Sequence, residues 1–362
     1  MSAPAPTTPS AGPVLVVGAG LLGTSVGLAL SGRGVEVWLR DLQYEHVRTA
    51  TGLGAGSPVP EGARPALVVV AVPPDHLADA VADALETTDA VVTDVGSVKA
   101  APLAAVRARV SAEELSRYVG SHPLAGSERS GPLAASARLF EGRPWAVTSH
   151  ETSTPEAQRA VVGLAELCGA TPFFFTPQEH DDAVARTSHV PHVVASLMAG
   201  ALADAPATHL SLSGQGVRDV TRVAAGDPGL WQQILSANAA PVVGLLREVG
   251  DQLDRLVAAL EDAERPALAA ILGRGVDGTA AIPGKHGGPP VEETGVFVVV
   301  PDHPGELARL LADVGAIGVN LEDLHIDHDP GRPTGLVELR VAVAEADHLL
   351  SALADRGWAG HG

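Results

Sequence analysis

Short unbroken apolar runs alternate with stretches of helical period over the first 150 residues. The run Val14 to Val17 has no polar break, as expected of a strand buried on both faces. A helical stretch follows to about Leu30, then a second strand, Val35 to Leu39. "ALVVVAVP" (66–73) predicts a third strand, and Pro74 to about Glu86 a helix. "AVVTDVGSVK" (90–99) holds a fourth, "SRYVGSHPLAG" (116–126) a fifth and "GRPWAVTS" (142–149) a sixth. Strands alternating with helices predict an α/β domain with a largely parallel sheet over residues 13–150.

The texture changes near Thr154. Apart from "TPFFFTP" (171–177), Ala/Leu/Val stretches of helical spacing predict helices near 154–168, 177–204, 207–225, 228–249 and 250–273. Residues 151–272 therefore read as an all-α domain. Residues 273–290 are rich in Gly and Pro and read as a linker. Residues 291–362 return to strand, helix, strand, strand, helix and a short final strand, a small α+β domain of βαββαβ order. Residues 1–12 are rich in Pro, Ser and Thr, with no basic end or apolar centre, and read as a disordered leader.

Composition narrows the function classes. Of 362 residues, 46% are hydrophobic but only 3% aromatic, so Ala, Val and Leu must fill the cores. The formal net charge of −19 argues against a nucleic-acid surface, which needs clustered Lys and Arg. Residues 291–362 hold 4 basic and 13 acidic residues, about half of that excess. One cysteine, Cys168, excludes an intramolecular disulfide and fits a cytoplasmic protein. No apolar run reaches the roughly 18 residues of a membrane span.

Gly18, Gly20 and Gly23 stand in the G-x-G-x-x-G spacing, between a predicted strand and helix, and Asp41 follows 18 residues after the last Gly. That context marks a dinucleotide site of a Rossmann-type domain. Gly18 permits a tight turn, Gly20 lets the backbone approach a pyrophosphate, and Gly23 lets helix and strand pack closely. The helix start, with Leu21 and Leu22, offers free N–H groups. Asp41 would accept the ribose hydroxyls and favours NAD. Arg40 beside it is a residue that can serve NADP. Val72, after the third strand, and Ser97, after the fourth, belong to the same expected cofactor crevice, and Lys99 should open onto it. Ser97 can equally be a helix N-cap.

"GSHPLAGSERSG" (120–131) is a loop by composition, yet it carries His122, Glu128 and Arg129. A turn needs the Gly and Pro but not the histidine. Following a strand of the nucleotide domain, His122 would reach the same crevice as the cofactor, where a neutral imidazole can act as a general base. The helical part adds His180, His189 and His192. The last two are three apart and share a helix face. Asp181 and Asp182 lie nearby, but the spacing matches no known metal-ligand set, and no metal is expected. Arg222 sits among Val220, Val223, Ala224 and Ala225, so its guanidinium needs an anionic partner, either Asp219 or Asp227 or a bound carboxylate.

"GAGLLG", "DVGSVK", "HPLAGSERSG", "HDDAVARTSHVPH" and "TRVAAGDPGLW", in that order across about residues 13–250, resemble the prephenate/arogenate dehydrogenase family of tyrosine biosynthesis. The resemblance implies an NAD-binding domain followed by a helical dimerisation domain, a homodimer, and oxidative decarboxylation of prephenate or arogenate. It assigns His122 as the base at the ring 4-hydroxyl, with Ser97 helping to hold that hydroxyl and the histidine. Hydride would leave C4 for NAD⁺ as CO₂ departs, and activity would fall as pH drops through the base's pKa, near ~6.5 if unperturbed. It places a substrate carboxylate on Arg222 and lines the pocket with His180, His189, His192 and Trp231. Glu128 falls in a gating ion-pair region.

"VPDHPGELARLL" (300–311) resembles the signature of an ACT domain, a small amino-acid-sensing module, with Asp302, Pro304 and Gly305 shaping its turn and Asn320 opening the segment before the next strand. That implies an aromatic amino acid, such as tyrosine, as effector, against a purely structural role. Two rivals remain. A non-catalytic NAD and amino-acid sensor could dispense with His122, Ser97 and Arg222 together. A β-hydroxyacid dehydrogenase shares the two-domain plan but relies on a helical-domain lysine, and none lies between residues 100 and 284.

Overall fold

The structure, a computed structural model, describes residues 12–126, 129–282, 292–328 and 333–362. Two compact units divide the chain, Met1–Asp251 and Gln252–Gly362.

In the first unit, β1 (Val14–Val17), β2 (Val37–Arg40), β3 (Ser57–Pro58), β4 (Leu67–Val70) and β5 (Val91–Asp94) form a parallel sheet in the order β3-β2-β1-β4-β5. Alternate residues feed two cores. Val14, Val16, Leu67 and Val69 join one, while Leu15, Val68 and Val70 join the other. Both faces are thus covered, which is why these strands show no polar alternation. The helices α1 (Leu21–Ser31), α2 (Tyr44–Gly52) and α3 (Pro74–Thr87) lie between these strands, and α4 (Ala100–Arg109) and α5 (Ala112–Leu115) follow β5.

The remaining strands, β6 (Gly120–Pro123), β7 (Pro144–Thr148) and β8 (Thr171–Phe175), form a second sheet, with α6 (Pro155–Leu167) between β7 and β8. The two sheets meet through a parallel bridge of Val92 with Tyr118. His122 is therefore not in the loop that its neighbours' composition suggests. It lies on β6, paired with Ala146 of antiparallel β7. Pro123 ends the strand, where its missing N–H costs least.

The predicted helix 177–204 is α7 (Pro177–Val184), a single π turn (Ala185–His189) and α8 (Val190–Gly200). The 207–225 stretch breaks into α9 (Ala207–Leu210), α10 (Gln215–Thr221) and a 3₁₀ turn, Arg222–Ala225. Ser213 and Gly214 separate α9 from α10, and a glycine is a poor helix former. Further on, α11 (Pro228–Ala237) stops at Asn238, α12 (Ala239–Glu261) runs across the unit boundary, and α13 (Arg265–Ala280) extends eight residues into the stretch expected to be a linker. Gly273, Gly275 and Gly278 cost that helix only about 1 kcal/mol each relative to Ala, and the leucine, isoleucine and alanines around them favour it.

The second unit carries β9 (Glu293–Pro301), α14 (Glu306–Ile317), β10 (Asp323–His328), β11 (Thr334–Ala342), α15 (Val343–Asp355) and β12 (Ala359–His361), with sheet order β10-β11-β9-β12. Val296, Val298, Leu310, Leu339 and Leu349 form its core. Gly305, at φ +96°, makes the left-handed turn into α14.

Candidate active site

The Gly-rich turn closes on itself tightly. A Cβ at Gly18 (φ +98°) would stand 2.4 Å from the Ala71 carbonyl oxygen, and one at Gly23 would stand 1.8 Å from the Gly18 oxygen. At Gly20, which precedes α1, a Cβ would meet nothing within 4 Å among the described residues. The turn is packed where chain meets chain and open where the helix amides begin, an arrangement that fits a dinucleotide pyrophosphate. Leu21 and Leu22 start the helix half-buried, and the half-buried Val72 packs a methyl 3.2 Å from the position of a Gly18 Cβ. Asp41, just past β2, accepts the Ala19 N–H at 2.7 Å on one oxygen and the Gln43 N–H at 2.7 Å on the other. Its carboxylate ties the turn to β2 and keeps lone pairs for ribose hydroxyls. Arg40 is exposed.

Ser97 is half-buried beside a small apolar cleft bordered by Pro74, Leu77 and Ala237. It does not cap α4, and no hydrogen bond joins it to His122 among the described residues. The cap comes from elsewhere. Both oxygens of Asp181, on α7, accept the first amides of α4, Lys99 N–H and Ala100 N–H, each at 2.8 Å. Lys99 does not open onto the crevice either. It is 1% exposed, its Nζ bonded to the Asp94 carboxylate and, at 2.7 Å, to the Ser121 carbonyl.

Asp181 also orders the histidines. His180 Nδ1 lies 2.8 Å from its Oδ1, and His180 Nε2 lies 3.0 Å from His122 Nδ1. A carboxylate already taking two amides can only accept, so His180 places its proton on Nδ1. In a neutral ring Nε2 must then accept, and His122 Nδ1 donates to it. Among the described residues nothing bonds His122 Nε2, which is left as the free lone pair. Burial pushes the His122 imidazole well below its ordinary pKa, and the nearby His180, Lys99 and His189 push the same way, so the expected titration near 6.5 does not hold. Burial also lowers His180, against the opposing pull of Asp181.

The π turn brings the other histidines around. At about 100° per residue, His192 would sit roughly 120° from His180 in an uninterrupted helix, and absorbing one extra residue reduces this to roughly 20°. His189, 1% exposed, takes the Asn238 side-chain amide on Nδ1 at 3.1 Å, leaving its proton on Nε2. Burial pushes His189 down to about 4. Asn238 also donates to the Asp181 carbonyl at 2.8 Å, which pins the end of α11 to α7. His192 stacks on Trp231 with centroids 3.5 Å apart and planes 8° off parallel. A Cβ at Gly226 would fall 2.5 Å from Trp231 Nε1 and 3.3 Å from His192 Cε1, so only glycine fits beside that stack.

Arg222 opens the 3₁₀ turn, which packs against α8, the helix that carries His192. It is exposed and pairs with neither Asp219 nor Asp227. Asp219 takes Gln215, and Asp227 caps α11 at Leu230. Among the described residues no anion is provided for it. Glu128 lies outside the described residues, and Arg129 is exposed. Sequence reasoning missed Asp181 as a helix cap, Asn238 as a clamp and Gly226 as a spacer. Only the "HDD" pairing hinted at the first.

The family described as prephenate dehydrogenase, nucleotide-binding domain, matches residues 26–173, and that described as prephenate dehydrogenase, dimerization domain, matches 176–274. A probable prephenate dehydrogenase of Streptomyces niveus is 36% identical over 358 residues, covering 95% of this chain and 98% of the relative. The prephenate dehydrogenase of Bacillus subtilis is 27% identical, covering 86% and 87%. Among solved structures, prephenate dehydrogenase from A. aeolicus with hydroxyphenyl propionate and NAD⁺ is similar at 25% identity and TM-score 0.67, covering 75% of this chain and 98% of that one. Synechocystis arogenate dehydrogenase is similar at 25% identity and TM-score 0.63, covering 75% and 100%.

Proposed function

The chain belongs to the prephenate dehydrogenase family, and from that premise we propose how its residues carry out the NAD-dependent oxidative decarboxylation of prephenate or arogenate. The observation that carries the reading is the hydrogen-bonded line His122–His180–Asp181. It leaves His122 neutral with Nε2 unprotonated, the state a base at the ring 4-hydroxyl requires. Gly18, Gly20, Leu21, Leu22, Gly23, Asp41, Val72 and Ser97 would hold the dinucleotide, and the open space at Gly20 supports this. When bound, NAD⁺ supplies the two-electron acceptor that lets the ring lose CO₂ and aromatise.

His122 takes the hydroxyl proton on Nε2 while His180 holds its ring in place. Arg222, without an anionic partner among the described residues, grips a substrate carboxylate through a charge-assisted pair. The His192–Trp231 stack forms a flat wall suited to the six-membered ring, and His189 offers a fixed Nε2–H donor. Glu128 and Ser97 are assigned to the pocket by the family resemblance alone. Rates measured with both substrates against NAD⁺ and NADP⁺ test the reading, and absence of turnover in all four combinations overturns it.

The division into an NAD-binding part (13–150), a helical part (151–272) and an ACT-like part (291–362) belongs to the same proposal. So does a homodimer, supported by the exposed Leu197, Met198, Leu212 and Val220 of the helical part. The βαββαβ order of residues 293–361 supports a sensing role toward an aromatic amino acid, which titrating tyrosine into the full-length assay tests. Among the described residues no helix is long and apolar enough to cross a membrane, and the free, buried Cys168 supports placement in the cytoplasm.

A further inference from the structure

One buried cation stands directly behind the histidine line, and the reaction as derived does not use it. Asp94, at the end of β5, is fully buried and accepts three donors: the Gly96 N–H at 2.9 Å, the Tyr118 hydroxyl at 2.7 Å and Lys99 Nζ. Lys99 Nζ also donates to the carbonyl of Ser121, the residue before His122 on β6. Meanwhile the Lys99 N–H is taken by Asp181, the acid that orients His180. One residue thus holds the strand of the base with its side chain and the partner of the base with its backbone.

We propose that Lys99 is a positioning residue of the reaction, resting on the reading of His122 as base: it locks β6 to α7 so that His122 meets His180, and its ammonium disfavours a second positive charge on that histidine pair. A like charge behind an imidazole favours the neutral ring. The groups that bear on His122 are His180, Lys99 and His189, and Lys99 lowers its pKa. Those that bear on His180 are Asp181, Lys99 and Asp94, with Lys99 alone among these three lowering it. The base is then ready at neutral pH not only because it is buried but because a fixed cation stands behind it.

Lys99→Met tests this through two readouts. The first is the pH dependence of kcat/KM. The second is the titration of the His122 ring followed by NMR in the cofactor-free protein. The expected result is an acid limb and a His122 titration both moved up by about one pH unit, with Lys99→Arg restoring the wild-type values. Met leaves Asp94 buried without its cation, so where the single variant does not fold the double variant Asp94→Asn/Lys99→Met is read at the His122 ring, which Lys99 shifts and Asp94 does not. A folded neutral variant that titrates like wild type overturns the proposal. So does failure of both neutral variants to fold, which makes Lys99 structural alone. Absence of turnover by wild type would overturn the functional reading but leave the NMR test of Lys99 intact.

Discussion

His122 Nδ1 lies 3.0 Å from His180 Nε2, and this contact passes on to His122 the tautomer that His180 adopts. Asp181 fixes the His180 tautomer from the far side, so the protons of the line all point one way, toward the carboxylate.

Replacing Asp181 by Asn should therefore damage two things at once. An Asn amide cannot accept both α4 amides and also hold His180 Nδ1–H, so the His180 tautomer is no longer dictated. We expect kcat to fall by roughly 100-fold and the protein to lose about 1–2 kcal/mol of stability from the cap. Denaturant unfolding and steady-state kinetics on one preparation would show both. An unchanged kcat in a destabilised protein would reduce Asp181 to a cap.

If His122 is the base we propose, His122→Asn should lower kcat by roughly 100- to 10,000-fold with NAD⁺ affinity unaltered. In wild type the lowered pKa means His122 stays neutral as pH falls through 6.5. Activity should then hold across that value and decline only at lower pH. An acid limb of kcat/KM at 6.5 or above would contradict the geometry.

Arg222→Ala should act on binding. Losing a charge-assisted pair is worth about 1.5–3 kcal/mol, hence a KM raised roughly 10- to 100-fold with little change in kcat. Among the described residues the guanidinium has no carboxylate to leave stranded, so the melting temperature should not move. Substrate saturation like that of wild type would remove Arg222 from the site.

The buried histidines should also make stability depend on pH. His189 is pushed down to about 4 by burial, so between that value and about 6.5 the unfolded chain binds a proton that the folded chain refuses. Stability from this group is fully present above 6.5 and is lost as pH falls toward 4, amounting to roughly 3 kcal/mol. Melting curves of wild type and His189→Asn at pH 7.5 and 5 provide the check. The gap between the two proteins should narrow at pH 5, and a constant gap would refute the assignment.

Residues acting through their neighbours in sequence were legible, and those acting across the fold were not. Gly18, Gly20 and Gly23 announce their turn because a strand precedes them and a helix follows, and apolar runs such as Val14–Val17 announce the sheet. His122 was recognisable as a chemical group but not as a strand residue, since Gly120 and Pro123 disguise a pairing with Ala146 that only the partner strand supplies. The π turn at Ala185–His189 leaves no mark in the apolar period, yet it decides which side of the helix His192 occupies. Lys99 looked like a crevice residue because its partner Asp94 is five positions away on a strand, and spacing does not say which way the side chain turns. Asp181 and Asn238 bond across 82 and 57 residues, beyond the reach of any local pattern.

The cap that Asp181 places on α4 also bears on the order in which the molecule can come alive during synthesis. When the ribosome has released the parallel strands and α4, the helix has its first amides bare, for the oxygens that will take them are still 82 residues away. They arrive with His180, in the same short segment. The contact that finishes the nucleotide-binding half and the contact that orients His180 toward His122 are therefore one event, and a nascent chain short of α7 lacks both.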